Sequence, residues 1–148
     1  MTDSTRSLKD RPLKTTEELR TLIETLLDRA SGRRLWLLFI DDRGCLGDPL
    51  IPMDDYPPDP TERTRTDDLG EIDHGSLLMH RIGMLREVTG NEAVVLVWER
   101  LGSSAVGADD RLWARAMLDA ATELDVPLRA QFVLHGTGVR ELQLSDIA

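Results

Sequence analysis

The stretch EAVVLVWE, residues 92 to 99, constrains this chain more than any other. An unbroken run of valine, leucine and tryptophan has no polar face to offer solvent. It therefore reads as a strand buried on both sides of a sheet. Such a strand needs neighbours beside it and cover on its faces, and the rest of the chain supplies both.

Ahead of it, Thr15 and Glu18 form a capping box, and Leu19, Leu22, Ile23, Leu26, Leu27 and Ala30 follow on one helical face until Gly32. RLWLLFID, 34–41, and CLGDPLIP, 45–52, read as a hairpin turned at Asp42-Arg43-Gly44. Pro49 assigns the second strand to a sheet edge, because proline cannot donate to a ladder. A second helix from about Asp73 to Gly90 turns Leu77, Leu78, Ile82, Leu85 and Val88 inward. A third, from about Ala108 to Leu124, carries Leu112, Ala116, Ala120 and Leu124 on one stripe. VPLRAQFVLH and GVRELQL, about a turn at 136–138, complete the pattern. The expectation is an α/β (α+β) fold: a single mixed β-sheet packed by three helices, in the order α-β-β-α-β-α-β-β. Residues 1–13 are expected as a disordered arm, and residues 14–148 as one globular domain. Residues 52–70, rich in proline and aspartate, form a long loop.

Charge narrows the partners. The net charge is −9, and residues 41–75 carry eleven Asp/Glu against three Lys/Arg, whereas residues 1–34 carry six against eight. That surface repels phosphates, so direct nucleic-acid binding is not expected, and a partner with a basic surface is favoured. No apolar run is long enough for a bilayer, the N-terminus lacks a secretory apolar region, and the single cysteine, Cys45, allows no internal disulfide. A cytoplasmic location and no membrane partner follow as expectations. His74, His80 and His135 form no spaced ligand pair, and P-loop, G-x-S-x-G and G-x-G-x-x-G patterns are absent from the sequence.

The element order and the strand-loop-helix VVLVWERLGSSAVGADDRLW, 94–113, resemble two related architectures. These are the cytidine-deaminase-like fold and the JAB (MPN) metalloprotease-like fold of the RadC family; the resemblance spans residues 15 to 144. The chain is also similar to a group of small actinobacterial proteins with an LWLLFIDD…VLVWERLG pattern, a similarity that brings no activity with it. RadC-like proteins carry H-x-H-P-x-G at a strand end and S-x-x-D entering a helix. The histidines and the aspartate bind zinc, and an upstream glutamate acts on the metal-bound water. Here the matching stretch is Trp98-Glu99-Arg100-Leu101-Gly102-Ser103, with Trp98 and Arg100 at the histidine positions, where neither ligates zinc. Gly107 to Asp110 answers S-x-x-D at a distance from Arg100 that is one residue short, and leaves Asp110 as the one possible ligand. Deaminases use H-x-E and P-C-x-x-C. The second helix here begins Asp73-His74-Gly75-Ser76, with Ser76 at the glutamate position, and the third begins without cysteine.

The resemblance thus implies a metal-free descendant without a cofactor: a non-catalytic protein-interaction or regulatory domain using Trp98, Glu99, Arg100, Asp109, Asp110 and Asp41. Trp98 can belong to the core or to the surface, and an arginine facing the acidic loop would form an internal ion pair. A homodimer through sheet edges or helices is a natural accompaniment. The alternative is a small divalent-cation-dependent hydrolase built from the pairs Asp41-Asp42, Asp54-Asp55, Asp67-Asp68 and Asp109-Asp110.

Overall fold

The structure, a computed structural model, describes residues 8–148. Its centre is β5 (Ala93–Glu99), flanked antiparallel by β1 (Arg34–Ile40) and parallel by β6 (Leu128–His135). β2 (Leu46–Met53) and β7 (Gly138–Glu141) add antiparallel edges, giving a mixed five-stranded sheet in the order β2-β1-β5-β6-β7. Val94 to Glu99 are all buried, as an unbroken apolar run requires. The Pro49 strand lies at the edge, as its missing donor demands.

Alternation along the strands builds two cores. Leu38, Ile40, Val95, Val97, Phe132 and Leu134 face α1 (Thr16–Leu27). Leu35, Leu37, Phe39, Val94, Leu96, Trp98 and Val133 face α2 (His74–Thr89) and α3 (Ala108–Glu123), with the short α4 (Leu144–Ile147) beside them. Phe39 and Phe132 have no exposed surface, and side chains of this size stabilise by about 1.5–3 kcal/mol each when fully buried. Among the described residues no helix is long and apolar enough to cross a membrane.

The element order agrees with expectation, with three additions and several shifts. Residues 52–70 are not one loop: β3 (Arg63–Thr66) pairs with β4 (Gly70–Asp73) in a separate two-stranded ribbon leading into α2. Among the described residues α4 is a short helix beyond the three expected. α1 forms its capping box, but it ends at Leu27 because Asp28 turns to φ 59°, ahead of Gly32. Of the expected arm, residues 1–7 lie outside the described residues. Leu13 is buried in the α1 core, and its N–H donates to the Gly44 carbonyl at 2.8 Å.

Two helix faces differ from their expected stripes. On α3 the buried residues are Trp113, Ala114, Met117, Ala120 and Ala121, while Leu112 is exposed, because Trp113 sets the inward direction one residue on. On α2 the buried set is Gly75, Leu78, Met79 and Ile82; Leu77 and Leu85 are half-buried, and Val88 is 84% exposed. Apolar residues occupy two faces of α2, and only one of them meets the sheet.

Gly47 in β2 lies against the carboxamide of buried Asn91, and a Cβ there would overlap that group. Asn91 cannot simply swing away: its Nδ2 donates to the Asp48 carbonyl at 2.8 Å and to Thr89 Oγ1 at 2.7 Å, tying β2 to the end of α2. Gly47→Ala is expected to lower stability by about 1–3 kcal/mol in urea denaturation, since those bonds must be broken or distorted.

Candidate binding site

After Met53 the chain crosses the α2/α3 side of the sheet as a strap containing Pro57, Pro58 and Pro60, none of which has an N–H to satisfy. Arg33, in the turn before β1, donates to the carbonyls of Tyr56 at 2.7 Å and Pro57 at 3.1 Å. Its guanidinium carbon lies 3.7 Å from the centroid of the Tyr56 ring, a cation–π contact. From the other side, the Trp113 indole N–H donates to the Pro57 carbonyl at 2.9 Å. Tyr56 stands edge-on to Trp98 (5.8 Å, 67°) and Trp113 (5.4 Å, 82°), the preferred arrangement for aromatic quadrupoles. Burial raises the Tyr56 pKa, so its phenol stays protonated at neutral pH.

The strap leaves a cleft on each side. The larger, about 380 Å³, lies between β2, the strap and α2; Leu37, Ile51, Met53, Leu77 and Leu85 form its walls, and Asp55, His74 and Arg81 stand among the lining residues. The smaller, about 170 Å³, opens at the end of β5, where Arg33, Trp98, Glu99, Arg100, Asp109 and Asp110 meet Tyr56 and Trp113. Five of the six sequence-predicted residues therefore come together. Asp41 does not: β1 and β5 are antiparallel, with Arg34 opposite Glu99, so Asp41 lies at the other end of the sheet. There it accepts from the backbone N–H groups of Arg43 and Cys45 and pairs with the Arg43 side chain.

The polar groups at the β5 end are engaged by the fold. The Glu99 carboxylate accepts from the backbone N–H groups of Ser31 (2.7 Å) and Gly32 (3.2 Å), the Ser31 hydroxyl (3.3 Å), Arg34 Nη1 (3.0 Å) and the Trp36 indole (2.8 Å). Burial alone would raise its pKa. The bonds from Ser31, Trp36 and Arg34 outweigh that and hold it below the ordinary range. Trp98 belongs to the core, 5% exposed, and its indole donates to Gln131 at 2.9 Å.

Arg100 makes a two-pronged pair with Asp110, with Nε–Oδ1 and Nη2–Oδ2 both 2.8 Å. It also donates to the carbonyls of Leu101, Ser103 and Ala105, so the loop 101–105 winds around its guanidinium. Asp110 further accepts from the Gly107 N–H. Burial works against its charge, but the bonds from Arg100 and Gly107 keep its pKa lowered. His135, one strand over, has its pKa lowered by burial and by Arg100 and Arg140.

The loop-facing ion pair exists with a different arginine. Arg81 of α2 clasps Asp68 at 2.7 and 3.1 Å, while Arg100 takes Asp110. Among the described residues no three His, Cys, Asp or Glu side chains converge as a metal-ligand set. Tyr56 and the larger cleft lie outside the sequence-predicted set. The available signals were the chain's single tyrosine set within the proline-rich loop and an α2 apolar on two faces. No protein-family model matches the chain, and no curated protein matches its sequence.

Two changes test the Glu99 cluster. Glu99→Gln turns an NH2 toward backbone and indole donors and is expected to cost about 2–4 kcal/mol at neutral pH by urea denaturation. A carboxyl whose folded pKa lies below its unfolded value contributes stability above the unfolded value and loses it as pH falls through the folded one. Wild-type stability is therefore expected to decline as pH drops below about 4.3, and Glu99→Gln to decline less steeply over the same range.

Proposed function

We propose that this chain is a non-catalytic protein-interaction domain that receives an apolar group in the cleft between β2, the strap and α2. One observation carries the reading: an open cleft of about 380 Å³ lined by Leu37, Ile51, Met53, Leu77 and Leu85, with its polar groups confined to a few positions. The engagement of Glu99, Arg100 and Asp110 by internal partners supports it, because groups held so tightly are ill-placed to exchange protons or bind a substrate. The metal-free RadC-like scaffold fits the same proposal. On that view Trp98 is absorbed into the core, and the Arg100 guanidinium stands beside Asp110 as a fixed positive charge.

The test uses Nile red, a neutral fluorophore that brightens in apolar surroundings. Wild-type protein is expected to bind one equivalent, and Leu77→Asn, in the half-buried cleft wall, to weaken binding at least about fivefold, in line with the loss of a large apolar contact. Equal binding by the two proteins, or none by either, overturns the reading. Calorimetric titration with Zn²⁺, Mg²⁺ and Mn²⁺ is expected to give no binding heat; a stoichiometric site abolished by Asp109→Asn would restore the hydrolase alternative.

A further inference from the structure

We infer that the occupant of this cleft is a basic amphipathic helical segment of another protein, laid along the outer face of α2 with an apolar anchor in the cleft. The inference rests on the cleft reading above and goes beyond it in naming the partner's chemistry.

Leu77, Arg81, Met84 and Val88 follow one another at helical spacings of four, three and four residues, so they share one narrow stripe of α2. Met84 is 53% and Val88 84% exposed, and the Arg81 guanidinium reaches back to the Met84 sulfur at 3.8 Å. Leu77 and Arg81 also line the cleft, so pocket and stripe are continuous. From Leu77 to Val88 the helix rises about 16 Å over three turns, which is longer than a compact small molecule and suits an elongated segment. The neighbouring edge strand offers no alternative by strand addition, because Pro49 and Pro52 interrupt its donors.

Charge around the cleft selects a basic partner. Residues 54–75 hold eight Asp/Glu and two Lys/Arg. Within the ribbon Arg63 lies opposite Asp73 and Arg65 opposite Glu71 in the backbone register, so each arginine stands across from a carboxylate. Arg81 is offset by Asp68. Asp54 and Asp55 on the strap and Asp67 on the ribbon turn are exposed, and among the described residues none of them forms an ion pair. The rim of an apolar groove is thus left negative, which attracts lysine and arginine flanking an apolar seam. The same charge disfavours a second copy of this chain, because a two-fold contact would set acidic rim against acidic rim.

The test measures anisotropy of two labelled peptides of about 18 residues, long enough to dock as helices, with one leucine seam and either lysine or glutamate elsewhere. With the full chain, the lysine peptide is expected to bind at least tenfold more tightly than the glutamate peptide, and to weaken several-fold on raising salt from about 50 to 200 mM. Asp54→Asn with Asp67→Asn, neither of which lines the cleft, should weaken the lysine peptide about three- to tenfold while leaving Nile red binding unchanged. Glu17→Gln with Glu24→Gln, the same charge change on α1 across the sheet, should leave both unchanged.

If both peptides bind alike, if neither binds, or if the α1 pair of substitutions weakens the lysine peptide as much as the Asp54 and Asp67 pair, the inference fails. The cleft reading then survives wherever Leu77→Asn still lowers Nile red binding. Loss of that dye effect removes the cleft reading itself. A dimer in sedimentation that Val88→Asn dissolves would give the stripe to a second copy and overturn the inference.

Discussion

Setting a carboxylate at the buried end of a central strand obliges the surrounding chain to converge on it. Glu99 draws two backbone N–H groups and a hydroxyl from the turn before β1, and a guanidinium and an indole from β1 itself. A buried anion lacking those donors would be far more costly than the bonds are strong, so the arrangement is closer to a requirement than to an embellishment. It fixes where the Ser31–Arg33 turn lies. Arg33 is thereby brought over Tyr56, and the strap is held at the height at which a cleft opens beside it. The cleft is in this sense a distant consequence of one charge.

The two clefts behave oppositely because their polar groups do. At the β5 end nearly every donor and acceptor is spoken for, and the loop 101–105 closes on Arg100 as it would on a bound cation. Along α2 the side chains facing outward have little to do internally. A helix apolar on two faces satisfies one of them against the sheet and leaves the other to whatever it meets. Rigidity and availability are thus segregated to opposite sides of a single aromatic partition, Tyr56 with Trp113.

Most of the sheet was legible because its signals are local. The Val/Leu run of β5, the capping box of α1, the Asp73 and Gly90 limits of α2 and the proline of an edge strand each act within a few residues. What escaped depends on contacts between distant segments. Val88 reads as inward on a helix whose apolar residues cover two faces, and Leu112 as inward until Trp113 claims that direction. The β3–β4 ribbon consists of short polar strands, RTRT and GEID, with no apolar alternation to announce them. Trp98, Glu99, Arg100, Asp109 and Asp110 were found as neighbours because a strand end and the following helix start bring them together. Asp41 was assigned with them because strand direction within the sheet is invisible in a single strand's composition.

The aromatic partition gives the molecule an optical character of its own. Trp98 and Trp113 stand with ring centroids 5.8 Å apart and planes inclined at 43°, close enough to share excitation and tilted enough to do so asymmetrically. Two of the chain's three tryptophans therefore stand as a close, tilted pair in the wall of the smaller cleft, while Trp36 sits apart with its indole bound to Glu99. The near-ultraviolet dichroism of the unlabelled protein is thus expected to report on that pair, which gives the Trp98–Trp113 contact a signal of its own without any added dye.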